Sequence, residues 1–485
     1  MQNIAFSQTQ GSPSKPPSTL TAWIAIGVLM IGTVLCLIVK AGIVLRVGFP
    51  VMSFLVGILL YRTQPSYYIG FSWWMWILTP LISRLSDYLT SWDPQRAIMI
   101  APFLVSSITL ATLFRHVMNS NEKVNLPFQL VLVGLLYATL IGYVFAAPIS
   151  IIRSLMEWIV PVAFGYHLFW NWKLYPQYCN TLRMTFLLGV LITGCYGVFQ
   201  FITAPEWDCK WLIETEIISM GKPEPFGIRV WSTMNSPASF ASFMMSGLLL
   251  LLSSNNPLQL PATVVGYLSF LLSLARTAWG GLLVGLILMT SSMKLELQVR
   301  IVLLLLVVGL CVVPLSSMDP FSEVIGNRID SMKDVENDSS FNARSGDLGG
   351  YLYNAVSNPL GQGFGNSWIR QANGSLSQQI TDNGLVDMFS TLGWLGTAPY
   401  LTGLLMLTAL VFQVKAVRHD SFMSAARGIS ISFVIQMAST NSLIGLGGMF
   451  MWGFLGIVLS GERYHRHQLL LKNNYDISNL LLEEA

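Results

Sequence analysis

The sequence predicts an all-α polytopic membrane protein with about twelve to fourteen transmembrane helices and one large extracytoplasmic loop. Three observations lead there. Of 485 residues, 53% are hydrophobic and 11% charged, against about 25% charged in a soluble domain, so most side chains face lipid or protein. Mean hydropathy is +0.58. Apolar runs close to the roughly 20 residues that cross about 30 Å of hydrocarbon follow one another along most of the chain. One polar stretch, Met318 to Asn383, interrupts them and is far longer than ordinary connections between elements.

Residues 1–18, rich in Ser, Gln and Pro, read as a disordered tail. They show neither a basic n-region nor a small-residue cleavage site, so the first apolar run is expected to be a retained span. Windows of span length fall near 20–39, 44–61, 68–85, 98–114, 128–146 and 153–171. Others fall near 183–203, 237–252, 260–274, 277–292, 300–317 and 384–412. The run from Gly428 to Ser460 fits two short helices broken around Thr440-Asn441-Ser442. This divides the chain into an N-terminal group of spans (19–182), a second membrane domain (183–461) that includes the outer loop 318–383, and a cytoplasmic tail (462–485).

Lysine and arginine in short loops orient the spans. Lys294 with Arg300, then Lys415, Arg418 and Arg427, then Arg463, Arg466 and Lys472 mark cytoplasmic stretches, so both termini are expected in the cytoplasm. Arg62, Arg115, Lys123, Lys173 and Arg183 fall on that side, whereas Lys40, Arg46, Arg84, Arg96 and Arg153 fall outside. Trp73, Trp74, Trp76, Trp158 and Trp172 suit interfacial belts.

A net charge of +3, with no basic cluster interleaved with aromatics, excludes a nucleic-acid partner. Cys36, Cys179, Cys195, Cys209 and Cys311 stand in no CxxC or metal-ligand spacing and read as buried small hydrophobes. His116, His419, His465 and His467 fall in cytoplasmic stretches and His167 in a span. The outer face is therefore expected to work with Arg, Asp, Glu and Asn, without imidazole, metal or cofactor.

The residues that point to chemistry are arginines at the outer boundary. Arg229 precedes a span in Gly227-Ile-Arg-Val-Trp-Ser-Thr-Met-Asn-Ser-Pro, Arg276 stands between two apolar runs, and Arg344 heads the helix-like part of the long loop. Ionisable groups at membrane depth are costly and mark wet cavities or partners. Converging guanidiniums suit phosphate, because the planar fork makes bidentate charge-assisted bonds; the plainer reading is snorkelling to headgroups or pairing with a nearby acid. Gly361, Gly363 and Gly365, in Pro359-Leu-Gly-Gln-Gly-Phe-Gly, fit either a tight turn or an anion nest. Asp382, where the loop re-enters the membrane, fits a general base or an N-cap. Glu157 with Arg153, and Asp87 with Arg84, read as local ion pairs.

Taken in order, these motifs resemble the bacterial O-antigen polymerase and O-antigen ligase superfamily, polytopic glycosyltransferases of GT-C type. The resemblance runs over residues 183–461. It rests on Arg229 to Pro237, Ala275-Arg276-Thr277, Arg344, the glycine turn, and Asp382-Asn-Gly followed by Leu392-Gly-Trp-Leu-Gly. It implies a GT-C-like fold in a bacterial inner membrane. It also implies transfer of glycan from a polyprenyl-pyrophosphate donor to a glycan or lipid acceptor, alongside other polysaccharide-assembly proteins. Arg229, Arg276 and Arg344 would then bind the pyrophosphate. O-antigen ligases typically carry a histidine before the Asn at the loop's end, where this chain has Asp382. That departure favours a polymerase of repeat units over a ligase. A transporter or flippase is the alternative of a different class. Such proteins often show internal repeats with interrupted helices, and no repeat between the two halves is evident here.

Overall fold

The computed structural model describes residues 19–118, 125–215, 217–291, 298–299, 357–366, 368–370, 376–378 and 383–483. Arg344, Asp382 and the window at 300–317 lie outside them. Among the described residues the chain is a helical bundle: α1 (Thr19–Ile38), α2 (Gly42–Thr63), α3 (Pro65–Leu89), α4 (Ala101–Ser107), α5 (Leu110–His116), α6 (Leu126–Phe145), α7 (Pro148–Trp170), α8 (Tyr175–Thr203) and α9 (Glu206–Thr215). There follow α10 (Pro237–Leu251), α11 (Gln259–Leu272), α12 (Arg276–Thr290), α13 (Gly384–Gln413), α14 (Ser421–Gln436) and α15 (Gly445–Glu483). A two-stranded antiparallel ribbon, β1 (Trp368–Arg370) with β2 (Leu376–Gln378), lies between α12 and α13 in sequence.

Among the described residues, eight stretches are long and apolar enough to cross a membrane: α1, α2, Ala97–His116, α6, α7, Trp172–Thr203, α13 and Gly445–Lys472. Helices α10, α11 and α12 are apolar but have only 15, 14 and 15 residues. At 1.5 Å per residue each covers roughly 22 Å, short of the roughly 30 Å of hydrocarbon. The window at 98–114 keeps span length as Ala97–His116 and comprises α4 and α5. The break foreseen around Thr440-Asn441-Ser442 lies between α14 and α15, and α15 continues through the stretch expected to be a tail.

Sequence dictates several helix starts. Proline occupies the first turn of α3, α6, α7, α8 and α10, where its missing N–H costs nothing and its φ is already helical. Glycine then sets how closely helices approach. A Cβ on Gly456 of α15 would lie 2.0 Å from the Gly165 carbonyl oxygen of α7, and one on Gly428 of α14 would lie 2.7 Å from that of Gly285 in α12. Around these contacts Trp73 packs against Phe164, Phe186, Phe450 and Phe454, and Trp158 against Phe364 and Tyr400. Trp73 and Trp158 are 1% and 3% exposed. They are core residues, contrary to the interfacial reading: hydropathy marks a tryptophan as near a span but not which way it faces. The cysteine reading also needs amending, since only Cys179 of the four described cysteines is buried.

Named contacts fix which helix ends lie together. Gly70 and Gly189 place α3 parallel to α8, through Thr181, Thr185 and Ile77. Gly194 and Gly247 place α11 parallel and α10 antiparallel to α8. Ser424 and Ser432 bond the carbonyls of Met289 and Gly281, so α14 is antiparallel to α12. The start of α2, the ends of α3 and α8, and the starts of α10, α12, α13 and α15 therefore share one end of the bundle. Arg46, Arg84, Arg96, Arg229 and Arg276 all lie there. The opposite end carries Arg62, Arg115, Lys173, Lys415, Arg418, Arg463 and Arg466.

Candidate functional site

Arg229 and Arg276 meet at one corner of that shared end. Leu274 has φ +54, a turn that reverses the chain between α11 and α12. The Arg229 guanidinium reaches over the turn, donating to the Ser273 carbonyl at 3.2 Å, the Leu274 carbonyl at 3.3 Å and the Ser219 carbonyl at 2.7 Å. It caps the C-terminus of α11, where a cation also complements the helix dipole. Two residues beyond the capped carbonyls, Arg276 is the first residue of α12. Its position is electrostatically opposite: the N-cap residue Ala275 offers no side-chain cap and the first turn of α12 holds no acid, so a cation stands where the dipole is already positive. Both arginines are half-buried.

A second corner lies where α13 enters the bundle. Asn383 is its N-cap, accepting from the N–H groups of Leu385 and Val386 at 3.0 and 3.2 Å and donating to the Ala438 carbonyl at 2.7 Å. The capping role weighed for Asp382 thus belongs to the next residue. One turn on, Asp387 accepts from Asn441 at 2.8 Å and from Thr391 at 3.2 Å. Sequence reasoning did not single out Asp387, although an acid within the first turn of an apolar helix was the available signal. Gln436 links the two corners. It ends α14, and its amide lies 2.2 Å from where a Cβ on Gly281 of α12 would stand. Arg276 is five residues before Gly281, about 7.5 Å along the helix axis.

The glycine segment packs between α6, α7 and α13. Gly361, Gly363 and Gly365 have φ of +73, +72 and +96, and a Cβ on Gly363 would lie 2.3 Å from the Gly142 nitrogen. The N–H groups of residues 361 to 365 donate in turn to the Asn358, Ser390, Thr391 and Ala138 carbonyls and the Ser154 hydroxyl. With every one of these donors engaged inside the protein, the segment is a tight turn, not an anion nest.

The expected Arg84–Asp87 pair is not formed. Arg84 bonds Asp208 instead, Nε to Oδ1 at 2.9 Å with both side chains fully buried, and Asp87 lies 3.8 Å from Arg46. Arg46 also approaches Asp93 at 3.8 Å, and Arg96 lies over the rings of Trp92 and Trp211. The N-terminal spans, which carry no recognisable motif, therefore contribute charged groups to the same end as Arg229.

All five histidines lie at or toward the opposite end. His116 stacks on Trp170, His167 bonds Thr112 and Asn171, and His465 bonds Asp420. A cavity of about 210 Å³ between Tyr61, Thr112, His116, His167 and Asn171 is separated from the arginine corner by the length of the bundle and is not part of this site. No protein-family model matches the chain, and no curated protein does either.

Proposed function

We propose that this chain is a membrane glycosyltransferase with a GT-C-like architecture. It would act on polyprenyl-pyrophosphate-linked oligosaccharide at the outer face of a bacterial inner membrane and polymerise repeat units of a surface polysaccharide. The observation that carries the reading is Arg276 at the first position of an uncapped α12, beside Arg229. The N–H groups at a helix start favour an anion, and two guanidiniums beside them offer it charge-assisted donors. A lipid pyrophosphate is the anion that a membrane-boundary corner would meet.

In this reading an acceptor hydroxyl attacks the anomeric carbon of the donor. The bond from that carbon to the pyrophosphate oxygen breaks, and polyprenyl pyrophosphate leaves with the electron pair. Arg276, with Arg229 and the start of α12 behind it, meets the charge that grows on the leaving group, where preorganised donors act most strongly. The hydroxyl proton passes to a carboxylate; Asp387, held by Asn441 and Thr391, and Asp382 are the candidates. Arg344 joins the donor site through the resemblance. The placement of every histidine toward the other end supports a carboxylate base, and hence a polymerase over a histidine-based ligase.

Deleting the gene and analysing surface glycan together with lipid-linked intermediates tests this. Single repeat units accumulating on the carrier lipid are expected. Full-length glycan stranded on the carrier would identify a ligase. Units confined to the cytoplasmic leaflet would identify a transporter.

A further inference from the structure

The segment joining Arg229 to α10 is clamped far more heavily than a connection requires. Arg84 donates to the Ser232 and Met234 carbonyls and, at 3.1 Å, to Asn235 Oδ1. Its partner Asp208 accepts from Tyr196 at 2.8 Å and from Gln200 at 2.7 Å. The side-chain Oε1 of Gln200 in turn accepts from the backbone N–H groups of Trp231 and Ser232, and the Ser232 hydroxyl donates to the Thr193 carbonyl. At the centre Ser232 has φ +52, a strained backbone state that persists only where surroundings over-determine it and that clusters at functional sites.

The clamp has one outward consequence. Arginine can only donate, so its bond to Asn235 fixes which way that amide points: Oδ1 toward Arg84, Nδ2 away. Among the described residues the only hydrogen-bond partner of Nδ2 is Met99 sulfur at 3.7 Å, a weak acceptor. Asn235 is half-buried and directly precedes Ser236, the N-cap of α10, so its N–H groups stand at a second positive helix end.

We infer that Asn235 is a substrate-contacting residue that donates to a phosphate oxygen of the donor, and that Arg84 and Asp208 are its positioning residues. This deepens the functional reading above and rests on it. It also gives the fully buried ion pair a purpose, since a buried pair is often no more stable than apolar residues of the same volume. The pair holds an amide that a substrate then uses.

The test is kinetic, on the purified full-length protein in lipid nanodiscs with an undecaprenyl-pyrophosphate-linked repeat unit. Asn235→Asp keeps an acceptor for Arg84 but removes both N–H donors and sets a negative charge against phosphate. It should raise KM at least about tenfold, as loss of a hydrogen bond to a charged group does, while thermal unfolding stays at the wild-type temperature. The volume-matched pair Arg84→Met with Asp208→Leu should raise KM, and adding Asn235→Ala to it should raise KM little further, since coupled sites are not additive. Should that pair fail to insert, Asn235→Asp alone decides. Wild-type KM in Asn235→Asp, with Arg276→Ala inactive, overturns this inference and leaves the functional reading standing. Wild-type activity in both overturns both.

Discussion

The two ends of the bundle use their arginines differently. At the site end Arg84 is enclosed by an acid, two carbonyls and an amide, and Arg229 by three carbonyls. At the opposite end Arg466 meets Glu462 in the open, with 73% of its side chain exposed, and Arg463 lies over the Phe169 ring. Enclosure orients a guanidinium and makes its loss costly; exposure leaves it as a marker of which side of the membrane it occupies. Arg427, toward that same opposite end, is the exception, buried and donating to the Leu288 carbonyl at 3.3 Å, so enclosure rather than end separates arginines that build structure from arginines that set topology.

Truncating the enclosed arginine should show the contrast most strongly. Arg84→Ala leaves Asp208 buried without its counter-charge, a change worth about 3–5 kcal/mol, and the protein should unfold far earlier in a detergent melt. An unchanged melting temperature would mean that the pair is not buried. Gly456→Ala tests the helix contact on which both ends hang. A methyl group 2.0 Å from the Gly165 carbonyl oxygen forces α7 and α15 apart at about 1–3 kcal/mol, visible in the same melt. Asn383→Ala removes the cap of α13 and should cost about 1 kcal/mol.

A pH titration separates the ends further. Burial raises the Asp420 carboxyl, but bonds from His465, Tyr175 and the Met423 N–H outweigh it and hold the group below its ordinary value. A depressed carboxyl stabilises the fold above its unfolded value of about 4, and the benefit is lost as pH falls through the folded value. Stability should therefore drop on acidification below about pH 4, and Asp420→Asn should flatten that drop. Smallest of all, Arg466→Ala should change stability by less than about 0.5 kcal/mol, as exposed pairs do.

Much of the helical pattern was legible because apolar runs announce themselves by length, and the break at Thr440-Asn441-Ser442 because polar residues punctuate such a run. Partners distant in sequence were not. Asp208 is 124 residues from Arg84, so local spacing favoured Asp87 three residues away. Trp73 reads the same whether it faces headgroups or a phenylalanine cluster. Arg229 and Arg276 were legible as cations at a boundary, but that one caps a helix and the other opens one depends on the turn at Leu274, whose positive φ leaves no mark in the sequence. Asp387 looked like any acid inside an apolar helix until Asn441 was seen to bond it.

Everything proposed for the site depends on Arg276 meeting an anion at the start of α12. Equilibrium binding of undecaprenyl pyrophosphate to the purified protein, comparing wild type with Arg276→Ala, tests it most directly. Affinity should fall by about tenfold or more, as for a lost charge-assisted bond, with thermal stability retained. Equal affinity in the two proteins would contradict it.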